Sequence, residues 1–187
     1  LIGENGAGKS TIIKSILGAV HPDGGNILFN GREILKVGKK ERQQISFVLD
    51  DTGLPMELNL AMLDNVLSCI YDKWDSSKFR ELVRQFALPE KKLFKDFSKG
   101  MKMKAAIAVA LSYDSTILIL DEPTSGLDPV VRDEILEMIY NYNKDGNRAV
   151  LLSSHITSDL EKICDYIVYI HDGKIIFNEE KDVLLNK

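Results

Sequence analysis

Short apolar runs alternate along the chain with stretches of helical period. Leu1-Ile2 reads as the end of a strand, and a helix is predicted from about Lys9 to Leu17, stopped by Gly18. Gly25 to Gly31 reads as a short strand bounded by glycines, and Ile45 to Leu49 as another. The period then changes. Leu60, Leu63, Val66, Leu67, Ile70 and Trp74 recur at steps of three and four, which predicts an amphipathic helix. Phe79, Leu82, Val83 and Phe86 continue as a second helix closed by Pro89, and a third runs from about Lys99 to Leu111. Alternation then returns. Thr116 to Leu120 is a continuously apolar strand, as expected where both faces of a sheet are covered. A helix from Pro129 to Tyr142, a strand from Ala149 to Ser153 and a helix from Thr157 to Cys164 follow. Tyr166 to Ile170 and Lys174 to Phe177 flank the hairpin signal Asp172-Gly173, and Val183 to Leu185 begins a last helix. The order predicts an α/β domain with a largely parallel sheet, interrupted over about residues 52–112 by a helical subdomain.

Composition narrows this only a little. With 44% hydrophobic residues in 187, the chain can bury a sizeable core. The net charge of −4 supplies no basic surface for nucleic acid or for an anionic membrane. Cys69 and Cys164 lie far apart and without metal-site spacing, which fits a reducing cytosol. No apolar run approaches the ~18 residues a spanning helix needs. No signal-peptide pattern, low-complexity tract or repeat is evident, although the first residue is Leu1 rather than Met.

The chemistry concentrates at two strand ends. Gly3-Glu4-Asn5-Gly6-Ala7-Gly8-Lys9-Ser10 fits G-x-x-x-x-G-K-[ST] in full, with Thr11 next. Glycines let successive amides converge on phosphate oxygens, and the following helix aims its positive end at the same anion. Lys9 can reach the β- and γ-phosphates, and Ser10 can place its hydroxyl on Mg²⁺. The strand Thr116–Leu120 ends in Asp121-Glu122, at the end of a parallel sheet where ligands bind. Asp121 suits the Mg²⁺ hydration shell, and Glu122 suits polarisation of a water for in-line attack. Pro123 leads us to expect an extended backbone at Glu122.

These two motifs leave many nucleotide hydrolases open. The residues around them resemble the ABC ATPase family over nearly the whole chain. Phe97-Ser98-Lys99-Gly100-Met101, ahead of a helix of small and basic residues, is similar to that family's signature. Asp121-Glu122-Pro123-Thr124-Ser125-Gly126-Leu127-Asp128 follows its extended Walker B and D-loop, His155 its switch histidine, and Asp172-Gly173-Lys174-Ile175 its following hairpin. Three positions depart: Lys99 stands for glycine, Met101 for glutamine, and Asp50 for the glutamine expected after the strand Ile45–Leu49.

The resemblance implies a P-loop NTPase core with an inserted helical subdomain that carries the signature. It implies ATP and Mg²⁺ as cofactors, with Ser10, Asp121 and, through an oxygen or a water, Asp50 near the metal. Asn5 to Thr11 would bind nucleotide, and Glu122 with His155 would act on the γ-phosphate. Two such domains would stack head to tail. Ser98, Lys99, Gly100 and Met101 would then face the partner's ATP, and Ser125 to Asp128 would couple the two sites. It implies a peripheral subunit on the cytoplasmic membrane face that powers a multi-span permease, an exporter by its single short domain. Leu54, Met56, Leu58 and Leu60 offer apolar contact to such a partner. The family's opening strands and adenine-stacking aromatic would precede Leu1. Two other readings stay open at this level: an ABC ATPase acting on ribosomes or DNA, and a nucleotide-binding regulator with weak turnover.

Overall fold

A computed structural model describes residues 1–186. Helix α1 (Lys9–Ile16) follows the glycine-rich loop and ends before Gly18, whose φ of 75° only glycine adopts without cost. The predicted strand at Gly25–Gly31 is instead a hairpin. β1 (Leu28–Phe29) pairs antiparallel with β2 (Arg32–Glu33) across Asn30-Gly31, both at positive φ (50° and 78°). The dipeptide Asn-Gly is the strongest short hairpin signal, and it sits inside the run read as one strand. A 3₁₀ turn (Ile34–Lys36) and a short helix α2 (Lys39–Arg42) lead to β3 (Ile45–Val48).

Between β3 and the next strand lie α3 (Leu60–Ile70), α4 (Ser76–Gln85), a 3₁₀ turn (Phe94–Asp96) and α5 (Lys99–Leu111). Helix α3 stops four residues short of Trp74. Tyr71 turns extended to stack on Tyr113 (centroids 5.0 Å apart), and the Trp74 indole donates to the buried Asp64 at 2.8 Å. Asp64 also accepts from Ser76 and Arg80, so one carboxylate ties α3 to the start of α4.

Then come β4 (Ile117–Asp121), α6 (Pro129–Tyr142), β5 (Ala149–Ser153), α7 (Thr157–Ile163), β6 (Tyr166–His171), β7 (Lys174–Glu180) and α8 (Lys181–Leu185). Strands β3, β4 and β5 run parallel in that order, with Ile45 opposite Ile117 and Ile117 opposite Ala149. The first residues lie between β5 and β6. Leu1 accepts from the Ser154 amide, Ile2 donates to Val168 and accepts from Ile170, and both Ile2 bridges are parallel. The loop of Gly3–Ser10 therefore leaves the sheet beside the ends of β4 and β5. Strand β4 is covered on both faces. Leu118 and Leu120 join the core of α3, α4, α5 and α6, while Ile119 packs on Ile13 and Ile45. Each such side chain stabilises the fold by about 1.5–3 kcal/mol.

Candidate active site

Close packing and loop geometry both demand glycine here. A Cβ on Gly3 would lie 2.4 Å from the Ile170 carbonyl oxygen, and Gly8 holds φ 108° at the cap of α1. The Ala7 carbonyl accepts from the Gly173 amide (3.0 Å), which anchors the loop on the β6–β7 turn. Gly8 offers no capping side chain, and among the described residues no acceptor takes the amides of Lys9, Ser10 and Thr11. Open amides at a helix start make a site for anions. The buried Lys9 ammonium donates to the carbonyls of Gly3 (2.7 Å) and Glu4 (3.0 Å). It also stands 3.2 Å from Glu122 Oε1.

The acids meet this loop through β4 and β5. Asp121 pairs in register with Ser153, and the fully buried Ser153 hydroxyl donates to Asp121 Oδ1 at 2.5 Å. The same hydroxyl accepts from the Glu122 amide at 3.0 Å, and the Ser153 carbonyl accepts from it at 3.2 Å. Glu122 is not extended as Pro123 led us to expect. Its φ is 51°, in the left-handed region. Ser153 grips its amide, while His155 and Lys9 draw its carboxylate to the loop side. These contacts outweigh a backbone cost of about 1 kcal/mol. His155 Nδ1 lies 2.7 Å from Glu122 Oε2. Oε1 is buried and makes no hydrogen bond, only the ion pair with Lys9. Glu122 thus sits between an ammonium and an imidazole, with one oxygen reserved.

A cavity of about 390 Å³ gathers the loop, Glu122 and His155, while the buried Asp121 is not among its lining residues. Asn5, Gly6, Gly8, Lys9, Ser10 and Thr11 line it together with Asp50, Glu122, Ser125 and His155. Ser98, Gly100, Met101, Leu127 and Asp128 are not among its lining residues. Ser98 caps its own helix, accepting from the Met101 amide at 3.2 Å, and Asp128 does the same for α6 with Val131. Gly100 allows α5 to approach α6, since a Cβ there would lie 3.3 Å from Val131 Cγ1. Lys99 reaches Asp50 within its own chain (3.5 Å) and passes Gly126, so two of the three departures meet each other.

Sequence reasoning missed Ser153, which orders both acids, although it stands two positions before His155. It gave no separate role to Thr124 within the extended motif and missed Arg132 and Asp159, although the buried Thr124 and Asp159 bond each other and Asp159 also bonds the partly exposed Arg132. Nothing local marks Asp159, whose partner Thr124 is remote in sequence.

With this geometry the chain is similar to known proteins throughout. The family model described as ABC transporter matches residues 1–125. The lantibiotic transport ATP-binding protein SrtF of Streptococcus pyogenes is 38% identical over 186 residues, 97% of this chain and 78% of that protein. The bacitracin transport ATP-binding protein BcrA of Bacillus licheniformis is 35% identical over 179 residues, 94% of this chain and 58% of that protein. A solved ATP-binding subunit of an ABC transporter superposes with a TM-score of 0.86 at 32% identity, covering 99% of this chain and 79% of that one. The chain belongs to the ABC transporter family of ATP-binding proteins. It is an ATPase with the P-loop fold.

Proposed function

We propose that this chain is the ATP-hydrolysing subunit of an ABC exporter and works at the cavity between the phosphate loop and Glu122. The observation that carries this is Glu122 itself. Its carboxylate is held between Lys9 and His155, with a buried oxygen that accepts no hydrogen bond. The amides of Lys9, Ser10 and Thr11 and the Lys9 ammonium take the β- and γ-phosphates. Phosphate oxygens compete with Glu122 for that ammonium, and the freed Glu122 oxygen accepts the proton of the water that attacks the γ-phosphorus as the bond to the β–γ bridging oxygen breaks and ADP leaves. His155 fixes the other oxygen and contacts the γ-phosphate. The donor set also fits a divalent cation. Asp121 has one oxygen held by Ser153 and no hydrogen bond on the other among the described residues, and Ser10 lines the cavity that the adjacent Glu122 borders. Mg²⁺ held by Ser10 and Asp121, with Asp50 at the rim, would supply charge neutralisation at the phosphates.

The working unit in this proposal is a head-to-tail dimer. Ser98, Lys99, Gly100 and Met101 face the partner's ATP, and Ser125, Gly126, Leu127 and Asp128 cross between the sites. The chain sits at the cytoplasmic membrane face against a multi-span permease. Among the described residues no helix is long and apolar enough to cross a membrane. The similarity to proteins named for lantibiotic and bacitracin transport supports this reading. Purification from native membranes tests it. The expected result is a multi-span membrane protein bound in stoichiometric amount and raising ATP turnover. Recovery with ribosomes or DNA, through binding that weakens steeply with salt, would overturn it.

A further inference from the structure

We propose that Asp159 is a positioning residue for hydrolysis, closing a ring that holds Glu122 and His155 together. This rests on the reading of that pair given above. Asp159 is fully buried in the first turn of α7, and Thr124 is nearly so. The Thr124 hydroxyl donates to Asp159 Oδ2 at 2.7 Å. Thr124 stands two residues beyond Glu122, and Asp159 four beyond His155. At the far end of both segments His155 Nδ1 meets Glu122 Oε2 at 2.7 Å. Two short pieces of chain are therefore joined at both ends. The piece from His155 to Asp159 is itself tightened, because the Ile156 amide donates to Ser154 Oγ and the Asp159 amide to the Ile156 carbonyl.

Asp159 also reaches outside the ring. Arg132 Nε donates to Asp159 Oδ1 at 2.6 Å, and its Nη2, which also contacts Asp159 Oδ1, donates to Ser158 Oγ at 2.8 Å. Arg132 lies in the first turn of α6, directly after Ser125–Asp128. One buried carboxylate thus fixes the exit of β4, the start of α6 and the segment after His155. Glu122 needs such support. A non-glycine residue at φ 51° persists only where its surroundings over-determine it, and the tie at Thr124 bounds the strained segment on its far side. Opening the ring leaves the phosphate loop intact but lets Glu122 and His155 drift apart. Misplacement by about 1 Å lowers the rate on the order of a hundredfold.

A second tie between the same helices supplies a control. Lys162 of α7 and Asp133 of α6 pair at 2.7 Å, and both side chains are more than half exposed, unlike the buried Thr124 and Asp159. Steady-state ATP hydrolysis, nucleotide affinity and melting temperature are measured for the wild-type chain and for Thr124→Val, Thr124→Ser, Asp159→Asn, Lys162→Ala and Glu122→Gln. Thr124→Val keeps the shape and removes the donor, and it serves even if Asp159→Asn fails to fold. The expected result is a kcat lower by about tenfold or more in Thr124→Val, with KM for ATP little changed. Thr124→Ser restores kcat, and Lys162→Ala leaves it at the wild-type value. If Thr124→Val turns over at the wild-type rate, or if Lys162→Ala slows the enzyme equally, Asp159 is a packing residue and the proposal falls. Glu122→Gln separates the two levels. Wild-type turnover in that variant removes the Glu122–His155 reading and this inference with it. Loss of turnover there, beside a normal Thr124→Val, removes the inference alone.

Discussion

Replacing Gly3 with alanine should damage fold and nucleotide binding together, by an amount the geometry sets. The added Cβ would stand 2.4 Å from the Ile170 carbonyl oxygen and 3.1 Å from Ala7 Cβ. Ordinary contact needs about 1 Å more. Neither side yields easily. Ile170 belongs to β6 and donates its amide to Ile2, one residue before the substitution, so the clash lies between hydrogen-bonded backbones. Overpacking of this kind costs about 1–3 kcal/mol. For a domain of this size that lowers the melting temperature by roughly 2–12 °C. The Gly3 carbonyl also accepts from Lys9 at 2.7 Å, so moving it shifts the ammonium within the cradle. ATP affinity should fall on the order of tenfold, equivalent to about 1.4 kcal/mol. Thermal melts and calorimetric titration with Mg–ATP measure both effects. An alanine variant with unchanged melting temperature and unchanged affinity would refute the argument that the loop is wedged against β6.

Two further predictions concern charges outside the loop. Burial pushes the Asp64 carboxyl up, but hydrogen bonds from Ser76, Trp74 and Arg80, with the Arg80 charge, together hold it below the usual carboxylate range. A depressed folded-state pKa contributes stability above the unfolded value of about 3.9, and that stability is lost as pH falls through the folded value. Asp64→Ala should therefore destabilise the protein by about 2–4 kcal/mol at neutral pH and flatten its acid limb below about pH 4. Urea unfolding at the two pH values checks this, and equal stability of both proteins at neutral pH would contradict it. Lys99 and Asp50 form a half-exposed pair whose coupling to stability should stay below about 1 kcal/mol in a double-mutant cycle. Asp50→Ala should nonetheless raise the Mg²⁺ needed for half-maximal hydrolysis, and an unchanged dependence would remove Asp50 from the metal's surroundings.

Much of the architecture was legible because its signals are local. Helices α5 and α6 and strand β5 begin and end where the pattern predicts, since Ser98, Asp128 and Pro129 act within one turn of themselves. The phosphate loop was legible for the same reason: one continuous segment carries its chemistry. The failures have two causes, one local and the other long-range. Asn30-Gly31 was a local signal overlooked in favour of flanking glycines. The backbone of Glu122 went against the preference that Pro123 imposes because Ser153, Lys9 and His155 hold it from three other segments. Helix α3 ended early because Trp74 and Tyr71 found partners at Asp64 and Tyr113. The ion pair of Lys99 with Asp50 joins residues 49 positions apart and carries no local signal either. Asp159 left no trace in pattern or motif, because its role exists only once α6 and α7 have packed.

The claim on which the rest depends is that Glu122 activates the water that attacks bound ATP. Its most direct test is Mg–ATP hydrolysis by Glu122→Gln beside the wild type, with binding and oligomeric state followed in the same samples. The account predicts a loss of turnover on the order of a hundredfold or more, retained ATP binding and accumulation of an ATP-bound dimer. Hydrolysis by Glu122→Gln at the wild-type rate would contradict it.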